Sequence, residues 1–534
     1  MRQLLFLAGL IFAAGSAARP AELRFAIAGD PKTFDPLQVA ESHSETIRYL
    51  TAGVLIRINR TNGKAEPELA ESWTLSPDGK SISLRLRTGL QFSDGSSLNA
   101  ADVVRTLRRA LDPKEASPAG DAFRASEGDP EIGASSARDL TIRYKVVKPG
   151  LDHLFDQLAV IPTKTDKYPA TAGPFHVTDH RPGQYVQLAR NPHYWKRDAT
   201  GKPLPYIDSI RVDIQQNHDI ELTRFLRGEL HLIPTLNPEN FSRVVKEKPA
   251  AARNLGPSLD SEFLWFNQAP SKTVPEWKRQ WFTSAAFRHA LSQSIHRDDI
   301  VRVAYRGYAH AAAGPFSPAN KVWFNSTLRP VAFDSAAALR QLTADGFRQQ
   351  QVGRQERVLL DRQGHKVEFS IITNSGNRTR EQMAALVQSD WAKIGVKVNI
   401  VTLDFGSLIE RITKSMDYEA CLLGFNNVDV DPVDQMNVWL SSGAQHPWWP
   451  KEKTPATEWE KRIDTLLLQQ ASSGDAAARK KAMDEVQKIA MEQEPILYLV
   501  NPDFLCAISP ALKGVAAGAA PPQVWWNIEW LRIE

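Results

Sequence analysis

The stretch from residue 367 to residue 424 limits the possible folds more than any other part of the chain. It contains a strand pattern at 367–373, a helical pattern that stops at Gly395, an alternating strand pattern at 396–400 and, after another helix, a strand pattern at 419–424. Helices that separate short strands at these lengths predict parallel strand pairing, with helices covering the faces of the sheet. The sequence therefore predicts an α/β fold.

The chain has 534 residues, more than one ordinary hydrophobic core accommodates, so two or three globular bodies are expected. Asp-Gly turns flank a strand pattern at 81–87, and Asn99 precedes a helical pattern that Pro113 ends. The following segment, 113–138, is rich in Ala, Ser, Gly, Pro and acidic residues. This composition predicts a long surface loop.

The first 18 residues have the pattern of a secretory signal peptide. Arg2 supplies a positive charge, residues 4–14 are apolar, and Ser16 and Ala18 form a small-x-small cleavage site. No Cys lies near that site, so a lipid anchor is not expected and the mature protein is predicted to be free in the periplasm. A buried N-terminal helix is the alternative. No later segment approaches the roughly 20 apolar residues that a membrane span needs.

The chain has two cysteines, Cys421 and Cys506. Each lies in an apolar run typical of a buried strand. An oxidising compartment would permit a disulfide between them. Cys is nevertheless among the most buried residue types even when unpaired, which favours two buried thiols.

Charge and motif content exclude several classes of function. The 65 Lys and Arg residues nearly balance 61 Asp and Glu residues, so no nucleic-acid or membrane partner is indicated. The sequence has no Gly-x-Ser-x-Gly elbow, no His-Glu-x-x-His helix and no Gly-x-x-x-x-Gly-Lys loop. His176 and His180 share a strand face and His289 and His296 share a helix, but neither pair has a Cys or acidic partner at zinc spacing. No metal site and no cofactor are therefore expected.

Five sequence blocks together resemble the family 5 extracellular solute-binding proteins, the peptide and nickel group of type II periplasmic binding proteins. The blocks are LAESW at 69–73 with FSDGSSLNAADVV at 92–104, AGPF at 172–175, RNPHYW at 190–195, FRHALSQSIHRDDIV at 287–301 with YRG at 305–307, and DWAKIGVKV at 390–398. They occur in the family's order, so the resemblance covers essentially the whole mature chain. Most of their residues are turn glycines, core aromatics and helix-start acids, which indicate the fold more than the ligand.

The resemblance implies a type II periplasmic binding protein fold: two α/β lobes joined by hinge strands, with a subdomain inserted in the first lobe. The expected divisions are a signal peptide at 1–18, lobe I at 19–56 and 171–264, an inserted subdomain at 57–170, lobe II at 265–497, and a return to lobe I at 498–534. The crossing strands are expected at 263–267 and 497–502. Ligands of such proteins lie in the cleft between the lobes, which closes around them.

The resemblance also implies a ligand loop after a strand of lobe II. In peptide-binding relatives this loop supplies an Asp for the peptide amine and backbone groups for the peptide edge. The matching residues here are Gly424, Phe425, Asn426, Val428, Asp429, Asp431 and Asp434. Val428 occupies the position of the amine-binding Asp, so either the adjacent Asp429 takes that role or the ligand has no free α-amine there. The three acidic residues are alternatively turn caps on a solvated loop.

Arg378 and Arg380 are the candidates for binding a ligand carboxylate. They follow the strand at 367–373, at the end of the sheet where open α/β folds bind ligands. The planar guanidinium group pairs bidentately with carboxylates. Asn374 and Asn426 offer neutral polar contacts, and Phe425 and Trp439 offer aromatic faces. Surface exposure of the arginines and core packing of Trp439 are the alternatives.

The resemblance predicts a binding protein and not an enzyme. It implies capture of a small peptide or similar polar solute in the cleft and delivery to the inner-membrane permease of an ABC importer, with the binding protein acting as a monomer. Members of the wider family bind opines, oligosaccharides, haem and nickel chelates, so the sequence leaves the ligand open. An exported hydrolase or peptidase, and a periplasmic chaperone or sensor with the same fold, are the alternatives.

Overall fold

A computed structural model of the chain describes residues 21–124, 128–164, 167–352, 356–425 and 430–534. The predicted signal peptide, 1–18, lies outside these residues. No helix in the described ranges is both long and apolar enough to cross a membrane. The described strands and helices form a mixed α/β structure, as the sequence predicts.

The chain opens with elements of a first half and then enters a separate four-stranded sheet. The elements are β1 (Glu22–Ile27), α1 (Ser42–Thr51), β2 (Ile56–Ile58), β3 (Ala65–Pro67), β4 (Ala70–Leu75), β5 (Ser81–Leu86), α2 (Ala100–Leu111), α3 (Pro118–Phe123), β6 (Glu131–Ala134) and β7 (Asp139–Arg143). The separate sheet has the order β4–β5–β7–β6. It has its own core, in which Leu107, Phe123 and Phe155 are fully buried.

The ends of α2 follow from local sequence. The Asn99 side chain accepts a hydrogen bond from the Ala101 N–H, and the Asp102 carboxylate accepts one from the Asn99 N–H at 2.9 Å, which makes a capping box. The surface-loop prediction for 113–138, in contrast, is wrong, because α3 and β6 lie within it. The Ser117 side chain caps α3, whose Phe123 packs into the subdomain core. A composition rich in Ala, Ser and Gly does not show that one Phe is buried there.

The chain then returns to the first half. The elements are β8 (Phe175–Arg181), β9 (Tyr185–Arg190), β10 (Ser209–Ile214), α4 (His218–Leu226), β11 (Leu232–Ile233), α5 (Pro238–Glu247) and β12 (Ala252–Pro257). Strand β1 pairs in parallel with β10, and β10 pairs antiparallel with β9. Two chain segments that flank the inserted sheet thus form most of the first half, and C-terminal residues such as Phe504 and Trp525 pack into the same core.

The second half contains the α/β unit that the sequence predicts. Its elements are β13 (Ser261–Phe266), α6 (Glu276–Thr283), α7 (Ala285–Gln293), α8 (Arg297–Asp299), β14 (Ala309–Ala311), α9 (Ser335–Ala344), β15 (Arg348–Val352), β16 (Glu356–Leu360), β17 (Glu368–Asn374), α10 (Arg378–Lys393), β18 (Lys397–Leu403), α11 (Phe405–Glu410), β19 (Ala420–Phe425), α12 (Met436–Trp439), α13 (Glu458–Ala471) and α14 (Ala476–Gln493). Strand β17 pairs in parallel with both β18 and β19, which confirms the predicted pairing. Gly395 has a φ of 89°, the left-handed conformation that ends α10.

One long strand joins the two halves. This strand is β20 (Ile496–Ile508), and the short strands β21 (Leu512–Lys513) and β22 (Arg532–Ile533) follow it. Among the described strands the main sheet has the order β18–β17–β19–β13–β20–β11–β1–β10–β9–β8, and β12 and β14 also pair with β20. The N-terminal part of β20 pairs with β13, and its C-terminal part pairs with β12 and β11.

The two crossings between the halves lie side by side at residues 258–260 and 501–503. The Ser258 N–H donates to the Pro502 carbonyl at 2.8 Å, and the Asn501 side chain donates to the Asp260 carbonyl at 3.0 Å. The sequence placed the first crossing at 263–267, but β13 pairs along its whole length with β19 and therefore lies in the second half. All six residues of β13 are buried, because this strand sits at the centre of that half.

Both cysteines lie in described strands, Cys421 in β19 and Cys506 in β20, and both are buried free thiols. Burial raises the pKa of Cys421 well above its usual value and that of Cys506 to about 12. The interpretation as buried thiols is confirmed. A raised pKa keeps each sulfur protonated and unreactive at neutral pH.

Candidate functional site

The candidate site lies where three strands of the second half meet at one edge of the sheet. Strand β17 ends at Asn374 and β19 ends at Phe425, and these strands are parallel. Strand β13 runs antiparallel to β19 and begins opposite Phe425, at Ser261. This edge adjoins the first crossing, 258–260. In open α/β sheets the carboxyl ends of the strands are the usual place for a ligand.

A buried ion pair occupies this edge. Arg380 Nε donates to Glu262 Oε2 at 2.8 Å, and Arg380 Nη2 donates to Glu262 Oε1 at 3.0 Å. The two side chains are only 12% and 11% exposed. Arg380 Nη1 also donates to the Asn374 side chain at 2.9 Å. The predicted residues Arg380 and Asn374 are thus brought together, with Glu262 as a third member.

The local sequence explains this arrangement. The Asn377 side chain caps α10 by accepting from the Arg380 N–H, which fixes Arg380 in the first helical turn. Burial lowers the pKa of Arg380, but the Glu262 carboxylate outweighs that effect and raises it overall. Arg380 is therefore a charged group that already has a charged partner, and a ligand carboxylate has to share it with Glu262.

Sequence reasoning missed Glu262. The available signal was a single carboxylate within the apolar run Ser-Glu-Phe-Leu-Trp-Phe. A buried charge needs a partner of opposite sign, and the nearby Arg380 is that partner. The sequence alone did not connect them, because 118 positions separate the two residues.

Gly424 is required by the close approach of Glu262. A Cβ atom at Gly424 would lie 2.7 Å from the carboxyl carbon of Glu262 and 2.8 Å from each of its oxygens. Phe425, the next residue, is half-buried, and its ring packs edge-on against Phe263 at 4.9 Å. The predicted ligand residues Gly424 and Phe425 therefore also support the ion pair and the strand packing.

Arg378 differs from Arg380 in its surroundings. Its side chain is 82% exposed, and its Nη1 lies 3.8 Å from Glu239 Oε2. Glu239 belongs to α5 of the first half and is also 3.8 Å from Arg306 of the second half. Arg378 therefore faces the first half across the gap between the halves, with its guanidinium largely in solvent.

The acidic loop is described in part. Asn426 and Asp429 lie outside the described residues, as does the side chain of Asp434. Asp431 accepts from the Val433 N–H, forms an ion pair with Arg479 at 2.7 Å, and approaches Gly150 of the inserted segment, where a Cβ would be 3.8 Å from its Oδ2. This capping role agrees with the alternative considered for Asp431.

Trp439 packs in the interior of the second half. It is 2% exposed, and its ring lies 5.6 Å from that of Trp448 in a T-shaped contact. Its contacts agree with core packing, the alternative to ligand stacking.

Sequence comparisons identify the family. The profile of the bacterial extracellular solute-binding proteins, family 5, matches residues 64–447. A probable ABC transporter-binding protein of Deinococcus radiodurans is 25% identical over 515 residues, which cover 88% of this chain and 85% of the relative. The probable ABC transporter periplasmic-binding protein SapA of Escherichia coli is 25% identical over 560 residues, which cover 96% and 95%.

The fold agrees with solved structures as well. The oligopeptide-binding protein AppA of Bacillus subtilis, in complex with a nonapeptide, superposes with a TM-score of 0.73 at 21% identity, over 97% of this chain and all of AppA. This likeness confirms the type II periplasmic binding protein fold that the sequence predicts. The family profile spans well over half of the chain, and the protein therefore belongs to the bacterial extracellular solute-binding proteins of family 5.

Proposed function

We propose that the protein is the extracytoplasmic substrate-binding component of an ABC importer. It captures a small peptide or a similar polar solute between its two halves and delivers it to the membrane permease. The observation that carries this proposal is the pair of adjacent crossings at 258–260 and 501–503, with charged side chains of both halves facing each other beyond them. Such a hinge allows closure around a ligand.

The relatives support the peptide class of ligand. AppA of Bacillus subtilis has a bound nonapeptide, and a di/tripeptide-binding protein of Pseudomonas aeruginosa is 25% identical over 92% of this chain. A peptide enclosed between the halves carries a charge at each terminus. Burying either charge without a partner of opposite sign costs roughly several kcal/mol. Asp429 and Arg378 are proposed as the partners of the amine and the carboxylate.

The other proposed ligand residues act around these two. Asn426 and Asn374 offer neutral polar groups to the ligand, and Gly424 and Phe425 line the bottom of the site. Arg380 donates to the ligand through the guanidinium N–H groups that Glu262 and Asn374 leave free. Asp434 is proposed as a further polar contact for the ligand, whereas Asp431 and Trp439 support the loop through an ion pair with Arg479 and through core packing. The protein has no catalytic role in this proposal; it acts as a monomer in the periplasm after removal of residues 1–18.

Calorimetric titration of the tag-free mature protein, after unfolding and refolding to remove co-purified ligand, tests the binding function. A panel of di-, tri- and nonapeptides is expected to contain ligands of micromolar affinity or better, roughly 8 kcal/mol. Mass spectrometry of the mixture after incubation is expected to recover the peptides intact. Loss of any peptide would support the hydrolase instead, and lack of binding across the panel would contradict peptide import.

The variant Asp429→Ala tests the amine partner. It is expected to weaken a peptide with a free amine by about tenfold or more, because a buried ammonium loses its counter-charge. The N-acetylated form of the same peptide is the matched control, and its affinity is expected to be the same for Asp429→Ala and for the natural protein. Equal affinity of both proteins for the free-amine peptide would remove Asp429 from the site.

A further inference from the structure

A buried cluster of one imidazole and two carboxylates lies in the second half, apart from the candidate ligand site. It consists of His446, Glu452 and Glu460, and one ligand-type atom from each lies within 4.8 Å of those of the other two. All three residues are buried, with 0%, 3% and 4% of their surface exposed. They come from the segment between α12 and α13 and from the first turn of α13.

The hydrogen bonding of His446 determines which ring nitrogen faces the cluster. Its Nδ1 lies 2.9 Å from the Val438 carbonyl oxygen, which only accepts, so Nδ1 carries the proton. In the neutral ring Nε2 then has a free lone pair. Nε2 is buried and has no hydrogen-bond partner within the described part of the chain. A histidine whose Nδ1–H is held by a backbone carbonyl has the orientation typical of metal-binding imidazoles.

Glu452 presents a second unsatisfied group to the same space. Both of its carboxylate oxygens are buried, and the backbone N–H of Ala456, which acts on this carboxylate, lies outside ordinary hydrogen-bond geometry. Burial raises the pKa of Glu452 to about 7; the neighbouring Glu460 carboxylate acts in the same direction, and the backbone amide of Ala456 opposes it. Buried polar groups are normally paired, so two adjacent unsatisfied groups need an explanation.

Glu460 is the fixed member of the cluster. Trp448 Nε1 donates to its Oε1 at 2.9 Å, and the Thr457 N–H and hydroxyl donate to its Oε2 at 2.9 and 2.7 Å. The Thr457–Glu460 contacts form the capping box of α13. These donors hold the carboxylate in a single orientation, as outer-shell partners do for metal ligands.

We propose that His446 Nε2, Glu452 and Glu460 bind one divalent transition-metal ion, with Zn²⁺ as the expected ion. Imidazole and carboxylate are both zinc ligands, whereas Ca²⁺ and Mg²⁺ take oxygen ligands. Ligand atoms of a tetrahedral zinc site lie roughly 3.3 Å apart, so no pair in the cluster has to close by more than about 1.5 Å. The Glu452 carboxylate has no side-chain hydrogen bond among the described residues, so it is the member of the cluster that is proposed to move towards the ion.

Such an ion has a structural role. It links the segment that contains His446 and Glu452 to the first turn of α13, beside Trp448 and Trp439. This segment follows α12, the helix after the acidic loop. The proposed ion is held by residues other than the proposed ligand residues, and it departs from the sequence-based expectation that the chain holds no metal.

Zinc content of the full mature protein, purified without a histidine tag, tests the proposal. The protein is stripped with a chelator, reloaded with ZnCl2 and desalted, and its zinc is measured by plasma mass spectrometry. About one equivalent is expected to remain. Glu452→Gln keeps the shape of the side chain but removes an anionic ligand, and it is expected to lower zinc affinity by about 100-fold or more, since loss of an outer-shell partner alone costs roughly 10- to 100-fold.

Glu458→Gln is the matched control. Glu458 lies on the same helix, its side chain is 92% exposed, and it belongs to no part of the cluster. This variant is expected to retain zinc like the natural protein. Loading with CoCl2 adds a spectroscopic readout, because the natural protein and Glu458→Gln should show the visible absorption of a tetrahedral Co²⁺ site and Glu452→Gln should lack it.

Two outcomes would overturn the proposal. In the first, the natural protein retains no zinc above the level of Glu452→Gln, which would mean that the cluster binds no zinc. In the second, zinc is retained equally by all three proteins, which would place the ion elsewhere. Melting temperatures measured in chelator identify any variant that fails to fold, and His446→Gln then serves as the replacement for Glu452→Gln.

Discussion

The ion pair between Glu262 and Arg380 yields the sharpest prediction about stability. Among the described residues, Glu262→Ala leaves the buried Arg380 guanidinium with the Asn374 side chain as its hydrogen-bond partner. Arg380→Ala leaves the Glu262 carboxylate buried against Gly424. Each single variant therefore creates an uncompensated charge at the edge of the sheet.

The expected magnitude follows from the burial of the pair. Removing one partner of a buried ion pair costs roughly 3–5 kcal/mol. The lower end, about 3 kcal/mol, applies here because both side chains keep some solvent contact, at 12% and 11% exposure. The double variant Glu262→Ala/Arg380→Ala removes both charges, so its cost should be below the sum of the single costs by about 2 kcal/mol.

Equilibrium urea unfolding, followed by tryptophan fluorescence and circular dichroism, measures these free energies. Glu368→Ala is the matched control, because Glu368 lies on β17 of the same sheet and pairs with Lys397 at exposures of 36% and 67%. Its cost is expected to stay below about 1 kcal/mol. Two results would refute the argument that the pair is a coupled buried unit. In one, each single variant loses no more unfolding free energy than Glu368→Ala. In the other, the loss in the double variant equals the sum of the two single losses.

Two further predictions concern a glycine and a histidine. Gly424→Ala should cost about 1–3 kcal/mol in the same assay, because its methyl group meets the Glu262 carboxylate, whereas Gly474→Ala, with no atom in the way, should cost far less. Hydrogen bonding to Glu494 raises the pKa of His289, so this contact stabilises the fold fully below the unfolded-state pKa and loses its effect as pH rises through the folded-state pKa. The melting temperature of His289→Gln should accordingly fall further below that of the natural protein at pH 6 than at pH 8. An equal difference at both pH values would contradict this role of His289.

Much of the fold could be predicted because its signals are local. The strand and helix patterns between 367 and 424 give β17, α10, β18 and β19 close to their observed bounds. Asn99 and Gly395 mark helix ends through hydrogen bonding and backbone conformation, which depend on adjacent residues. The prediction failed for 113–138, where the burial of Phe123 depends on residues far away in the chain.

The candidate site could be predicted only in outline. Sequence reasoning found Arg380, Asn374 and Gly424 but treated them as separate ligand contacts, and it missed Glu262, which joins them. It also examined the histidine pairs at helical and strand spacing for metal binding and did not consider His446. The groups near His446 come from a loop and a helix start, and no regular spacing relates them.

By itself the sequence determined the fold class and the family, since periodicity, turn residues and motif order are properties of the linear chain. The tertiary structure alone decided which charges are paired, which aromatic rings are buried, and where the chain crosses between the halves. The physical reason is that burial of a charge or a ring depends on contacts between residues distant in sequence. Glu262 with Arg380, and His446 with Glu460, acquire their chemistry only when packing removes water from both partners.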